Sequence, residues 1–210
     1  MATVLHIAAS PRGERSKSLQ VAKAFLDAYR QLAPGDNIMT LDLWTTELPA
    51  MDGPTLDAKY AILHGREKTE DQRRAWAAVE AVIAQFLAAD KYVFSVPMWN
   101  FGIPYRLKHY FDVLIQPSYT FSFDPEHGYS GLVAGKPVAA IYARGGDYAA
   151  PEAARLDMQK SYVEAVLGFI GLRDVRSIVV EPTMAAGPDV AAERLSQALA
   201  EAEKLAQSFQ

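Results

Sequence analysis

YVFSVPMWNFGIPYRLKHYF, residues 92–111, changes its pattern twice. Residues 92–96 are apolar, aromatic and β-branched, as in a strand buried on both faces, and Pro97 ends the run. Met98, Trp99, Asn100, Phe101 and Gly102 follow as a loop carrying two large aromatics where loop residues are usually small and polar. Ile103-Pro104 can open a helix, because proline is tolerated in a first turn, and Leu107, Tyr110, Phe111 and Leu114 then recur at helical spacing. The unit is strand, aromatic loop, helix. In an open parallel sheet, ligands bind where loops leave the carboxyl ends of strands, so this loop suits a flat apolar ring. The same residues also suit a loop that covers a subunit interface, and this stretch does not choose between the two.

Towards the N-terminus, residues 3–9 (TVLHIAA) form another short apolar run without alternation, as in a buried parallel strand. His6 lies inside it with no second histidine nearby, which fits a core or loop-edge histidine better than a ligand. Residues 10–18 (SPRGERSKS) lead into a helix with Leu19, Ala22, Phe25, Leu26 and Tyr29 on one face. Exposed N–H groups at a helix start attract anions, and Ser10, Ser16 and Ser18 add hydroxyls with Lys17 beside them. Neither Gly-Lys-Ser/Thr nor Gly-x-Gly-x-x-Gly is present, which argues against a nucleoside triphosphate or a standard dinucleotide site. The alternative is a polar lead-in to a helix capped by Ser16 or Ser18.

Residues 37–43 form a second strand, and 44–66 read as irregular, with a short helix near 55–63. So long a loop-rich stretch is often a lid or a partner contact. Trp76, Val79, Ile83, Phe86 and Leu87 mark a helix that starts near Glu70. Beyond the central unit, residues 117–131 alternate polar and aromatic residues before a tip with Pro125 and Gly128, predicting an inserted loop or hairpin. Its Phe121, Phe123 and Tyr129 could wall a pocket or form a satellite core. Residues 136–143 predict a fourth strand that ends in Arg144-Gly145-Gly146, where paired glycines permit positive φ and close backbone approach, or simply a tight turn. A helix over 151–168, a fifth strand over 175–181 and a helix over 188–209 complete the chain.

This alternation predicts one α/β domain over residues 1–210, with an inserted hairpin near 117–131. The expected architecture is a doubly wound, five-stranded parallel sheet with helices on both faces. At its carboxyl rim a hydroxyl-rich loop would meet phosphate, an aromatic loop a ring, and a Gly-Gly loop the heteroatoms of that ring. A phosphate joined to a flat heteroaromatic by a polar chain describes flavin mononucleotide (FMN), which the flavodoxin-like order 2-1-3-4-5 places at its switch point. A net charge of −4 argues against nucleic acid as partner. The absence of cysteine excludes disulfides, thiolate metal sites and dithiol chemistry, so any redox function needs a bound cofactor. No metal site is expected. No apolar run approaches the ~20 residues of a membrane span, and no basic segment precedes an apolar signal core, so a cytoplasmic location is expected.

The chain resembles the FMN-dependent NADH azoreductases, which are also NADH:quinone oxidoreductases. The likeness runs nearly end to end. It rests on Ser10-Pro11 with Ser16-Lys17-Ser18, on Val96-Pro97-Met98-Trp99-Asn100-Phe101, on Leu107-Lys108-x-Tyr110-Phe111-Asp112, on Thr120-Phe121, on Gly131-Leu132 and on Leu167-Gly168-Phe169-Ile170-Gly171. The resemblance implies that Ser10, Ser16, Lys17 and Ser18 hold the FMN phosphate. It implies that Pro97, Met98, Trp99, Asn100 and Phe101 line the ribityl chain and ring, and that Ala143, Arg144, Gly145 and Gly146 meet the ring's polar edge. Trp99 stands where tyrosine is expected, and Ala143 where serine is expected, which removes one hydroxyl. It further implies a homodimer with FMN at the interface, and a ping-pong cycle in which NADH, or NADPH, reduces the flavin and a quinone or azo compound reoxidises it. No side chain needs to act as nucleophile. Gly145 and Gly146 N–H groups are expected to stabilise charge on reduced flavin, with Phe123, Tyr129 and Phe169 as walls of the substrate pocket. A flavodoxin-type electron carrier or a general FMN reductase would share the fold, although carriers are usually shorter and more acidic. A non-enzymatic module on the same scaffold is the third reading.

Overall fold

The computed structural model describes residues 1–209. In chain order the strands are β1 (Thr3–Ala8), β2 (Asn37–Asp42), β3 (Lys91–Pro97), β4 (Phe121–Asp124), β5 (Gly128–Gly131), β6 (Val138–Ala143) and β7 (Val175–Val180). The helices are α1 (Lys17–Leu32), α2 (Gly53–Leu63), α3 (Glu70–Leu87), α4 (Tyr105–Leu114), α5 (Pro151–Ala154), α6 (Lys160–Phe169) and α7 (Pro188–Gln207). Five strands form one parallel sheet in the order β2-β1-β3-β6-β7, and β4 and β5 stand apart as an antiparallel hairpin. With the hairpin set aside, the order is the expected 2-1-3-4-5.

The apolar runs are continuous because helices surround the sheet. Leu5 and Ile7 pack in one buried cluster with Trp76, Val79 and Phe86 of α3 and Leu107 and Phe111 of α4. Val4 packs in another with Val21 and Phe25 of α1 and Ala198 and Ala202 of α7. Neighbours along a strand point to opposite faces, which is how one short run feeds two cores. Strand β2 lies at the sheet edge and buries only Leu41 fully. Helix α3 starts in a capping box: Thr69 Oγ1 accepts from Gln72 N at 3.2 Å and Gln72 Oε1 accepts from Thr69 N at 2.9 Å. Such a cap stabilises by about 1 kcal/mol.

Two helix expectations need correction. Helix α4 begins at Tyr105, with Pro104 extended just before it (φ −58°, ψ 142°). The helix expected over 151–168 is broken into α5 and α6. Asp157 causes the break: its Oδ1 accepts from the backbone N–H of Gln159 at 3.1 Å and of Lys160 at 3.0 Å, and its Oδ2 lies 2.7 Å from Arg144 Nη2. A carboxylate that caps the next helix and pairs with a buried guanidinium outweighs continued helix here.

The hairpin is fixed by backbone contact. Val133 N donates to Ile170 O at 2.8 Å, and a Cβ on Gly131 would lie 2.2 Å from Gly171 N. Only glycine allows the strand to lie this close to the end of α6.

Candidate functional site at the carboxyl rim

The first loop follows β1. Ser10 is buried, and its Oγ accepts from Arg12 N at 3.4 Å. A 3-10 turn at Gly13–Arg15 returns the chain to Ser16, the N-cap of α1. Ser16 Oγ accepts from Leu19 N at 3.4 Å and lies 3.1 Å from Ser18 Oγ, both hydroxyls being buried. The capping and anion-binding readings of these serines are therefore compatible: a cap orients hydroxyls at the positive end of a helix. The backbone N–H groups of Lys17 and Ser18 have no acceptor among the described residues, as befits a first turn.

The aromatic loop after β3 is a tight turn. Trp99 N donates to Gly102 O at 3.0 Å and Gly102 N to Trp99 O at 2.9 Å, enclosing Asn100 at φ 47° and Phe101 at φ 71°. Left-handed backbone is common for asparagine and unfavourable for phenylalanine. Strain of this kind persists only where the surroundings impose it. Neither Asn100 N–H nor Phe101 N–H has an acceptor among the described residues, so the turn presents two adjacent bare donors. Phe101 is 44% exposed. The Trp99 ring lies 5.4 Å from that of Trp44, whose Nε1 donates to Ala9 O at 3.0 Å and ties the turn to the first loop.

The third loop follows β6, which β3 joins directly, Met98 N donating to Ala143 O at 2.8 Å. Ala143 is buried. The glycines do not use the left-handed region that pairing them permits. What they provide is access: the N–H groups of Gly145 and Gly146 have no acceptor among the described residues, while Gly145 O accepts from Met184 and Ala185.

Arg144 departs from its expected place at the ring edge. Its side chain is only 3% exposed and turns into the protein, 2.7 Å from Asp157 and 3.3 Å from Glu181. The Nη2 to Asp157 approach is an ion pair without hydrogen-bond alignment. The Arg144 backbone is also occupied, donating to Val180 O at 3.0 Å and accepting from Thr183. Arg144 therefore supports the loop from below. Its partners Asp157, Gln159 and Glu181 were not singled out from the sequence. The available hint was an arginine at the end of a buried strand, which requires a carboxylate.

Phe123, Tyr129 and Phe169 do gather, with Phe121, into one aromatic cluster: Phe123 and Tyr129 centroids are 5.0 Å apart, Tyr129 and Phe169 5.6 Å. The cluster is not at this chain's rim. Phe169 closes α6, whose first turn abuts Val96 O at the carboxyl edge, so it lies one helix length, about 15 Å, towards the amino edge. Within one chain these rings do not wall the rim. An open cleft of about 750 Å³ does adjoin the aromatic turn, lined by Met51, Ile103, Tyr105, His109, Met158 and Tyr162.

His6 is buried beneath the rim, with Nε2 2.9 Å from Ser95 Oγ. Burial lowers its pKa to about 4, partly opposed by Asp42, so it is neutral at pH 7 and is not a cation for an anionic ligand. Among the described residues there is no cluster able to hold a metal ion, and no helix is long and apolar enough to cross a membrane.

Residues 2–206 match a family model described as having a flavodoxin-like fold. An FMN-dependent NADH:quinone oxidoreductase of Nitratidesulfovibrio vulgaris (strain DP4) is 50% identical over 210 residues, covering all of both chains. The crystal structure of an azoreductase from Bacillus anthracis str. Sterne superimposes with a TM-score of 0.92 at 36% identity, again over all of both chains. An FMN-dependent NADH-azoreductase from Bacillus anthracis str. Ames Ancestor, solved in complex with FMN, gives 0.90 at 28% identity, covering 100% of this chain and 99% of that one. With half its residues shared along its whole length, the chain belongs to the FMN-dependent NADH:quinone oxidoreductase family of the flavodoxin-like fold.

Proposed function

We propose that this chain is an FMN-dependent NAD(P)H oxidoreductase that reduces quinones and aromatic azo compounds by a two-electron ping-pong mechanism. One observation carries the reading: two adjacent strand ends each present a pair of N–H groups without an acceptor among the described residues, Asn100 with Phe101 and Gly145 with Gly146, next to a helix start lined by Ser10, Ser16 and Ser18. Those donors fit a phosphate at one end and a ring with a polar edge at the other. A doubly wound domain of this kind uses its carboxyl rim in that way.

Bound FMN would supply acceptance of hydride from NADH and delivery of two electrons to the acceptor. The protein's part is positional. Ser16, Lys17 and Ser18 take the phosphate at the positive end of α1. Trp99 and Phe101 offer flat apolar surface to the ring, and Met98 flanks it. Gly145 and Gly146 donate to its polar edge, where they favour added negative charge. Ala143 contributes only backbone. No side chain at the rim has to transfer a proton.

A second copy of the chain completes the site in this reading. The aromatic cluster of Phe123, Tyr129 and Phe169 is displaced from its own rim and exposed, and the apolar cleft beside the turn is open. A homodimer would bring one chain's cluster to the other chain's rim, with FMN at the interface. A cytoplasmic enzyme acting on small aromatic acceptors follows from the same reading.

The visible spectrum of purified protein with added FMN, then with NADH without oxygen, tests it. Flavin bands that bleach with NADH and return on adding a quinone are expected. A protein that ignores FMN overturns the reading. Slow return with quinone but fast return with a protein acceptor would make it an electron carrier.

A further inference from the structure

The residues between α5 and α6 join three strand ends. Gln159 is fully buried at the start of α6. Its Nε2 donates to Val96 O in β3 at 2.8 Å, and its Oε1 accepts from Arg144 Nε, just beyond β6, at 3.0 Å. Arg144 is paired in turn with Asp157 and with Glu181, which follows β7. One residue earlier, Met158 N donates to Phe101 O at 3.1 Å, on the residue whose left-handed backbone an aromatic would otherwise avoid. A buried amide between a carbonyl and a guanidinium has one workable orientation, since only Nε2 can serve the carbonyl and only Oε1 the guanidinium. The cluster is therefore a rigid connection between the aromatic turn and the glycine loop.

We infer that Gln159 is a positioning residue that sets the aromatic turn against the glycine loop. It holds the bare N–H groups of Asn100 and Phe101 at one separation from those of Gly145 and Gly146. This rests on the functional reading above, in which both pairs meet one ring. A ring engages both pairs only when their separation matches it, so a loosened connection weakens binding without removing any contacting group.

Gln159→Leu removes both side-chain bonds at nearly constant size. Two measurements apply: the Kd for FMN, from flavin fluorescence on titrating apoprotein, and amide hydrogen exchange of the protein without FMN. Kd is expected to rise about tenfold or more, as for a small misplacement of a site. Exchange in peptides covering 97–104 is expected to accelerate while α1 and β2 keep their wild-type rates. Gln159→Glu still accepts from Arg144 but cannot donate to Val96 O; it should give the same pattern, and it stands in if the leucine variant does not fold. Wild-type affinity and exchange in the variants overturn the inference. Acceleration spread evenly over the chain also overturns it, since that marks a general stability residue. A wild-type chain that takes up no FMN defeats the functional reading instead, and the exchange pattern still decides the positioning role.

Discussion

The serines of the loop after β1 find their side-chain partners among themselves and their near neighbours, whereas the turn after β3, closed by the Trp99–Gly102 backbone pair, is also held from a distance. Ser16 caps its own helix, Ser18 lies against Ser16, and Ser10 receives the N–H of Arg12. Every one of these partners is within three residues. Asn100 and Phe101, by contrast, adopt left-handed backbone, and the bond that reaches Phe101 O comes from Met158. An anion site needs oriented donors, which a helix start provides locally. A ring site needs donors on two strands at a matched spacing, which no local segment can provide.

The comparison can be broken hardest at Arg144. Arg144→Met leaves Asp157 and Glu181 without their cation and frees Gln159 from one partner. A loss of about 3–5 kcal/mol in urea unfolding is expected for removing one side of a buried ion pair, tempered by the slight exposure of the carboxylates. A loss below about 1 kcal/mol would rank the network with weak surface pairs.

His6 gives the strand that feeds the first loop its own signature. Its folded-state pKa is about 4, against an ordinary value of 6.5. Between those values the unfolded chain binds a proton that the folded chain refuses, so stability is complete above about 6.5 and falls as pH drops towards about 4. The full loss is about 3 kcal/mol. Urea unfolding at several pH values should show this slope in the wild type and not in His6→Asn. An equal slope in both proteins would assign acid sensitivity to the carboxylates.

Ser16→Asp separates capping from phosphate binding. Aspartate caps helices as well as serine does, so stability should stay within about 0.5 kcal/mol. FMN affinity should fall about a hundredfold, or ~2.7 kcal/mol, from charge repulsion. Retained affinity would move the phosphate to another loop. The smallest effect is expected from Phe101→Gly, where relief of left-handed strain, about 1 kcal/mol, is offset by the entropy of glycine. Urea unfolding should change little while FMN binding weakens through loss of the ring. A large destabilisation would mean that the Phe101 side chain packs as core.

The strands, the hairpin, α1 with a serine cap and the rim loops were legible because each rests on short-range pattern: a continuous apolar run, a helical stripe, a cap; the sheet order came instead from the likeness to the flavodoxin-like arrangement. The break at Asp157 was not, because residues 151–168 carry a helical stripe and the competing partner, Arg144, arrives from another strand. Nor was the position of Phe123, Tyr129 and Phe169. Their composition promised an aromatic wall, but where it stands follows from the docking of Gly131 on Gly171 at the end of α6.

Sequence alone determined which residues form strands, which loops reach the rim and which polar and aromatic side chains those loops carry, since periodicity and residue type act over a few neighbours. Tertiary structure decided the direction of Arg144, the bond from Met158 that reaches Phe101 O, and the separation between the donors that follow β3 and β6. Those depend on Asp157, Met158 and Gln159, brought to the rim by the fold from more than 50 residues beyond the turn. Buried polar groups must find partners wherever the chain supplies them, and that requirement has no fixed spacing in sequence.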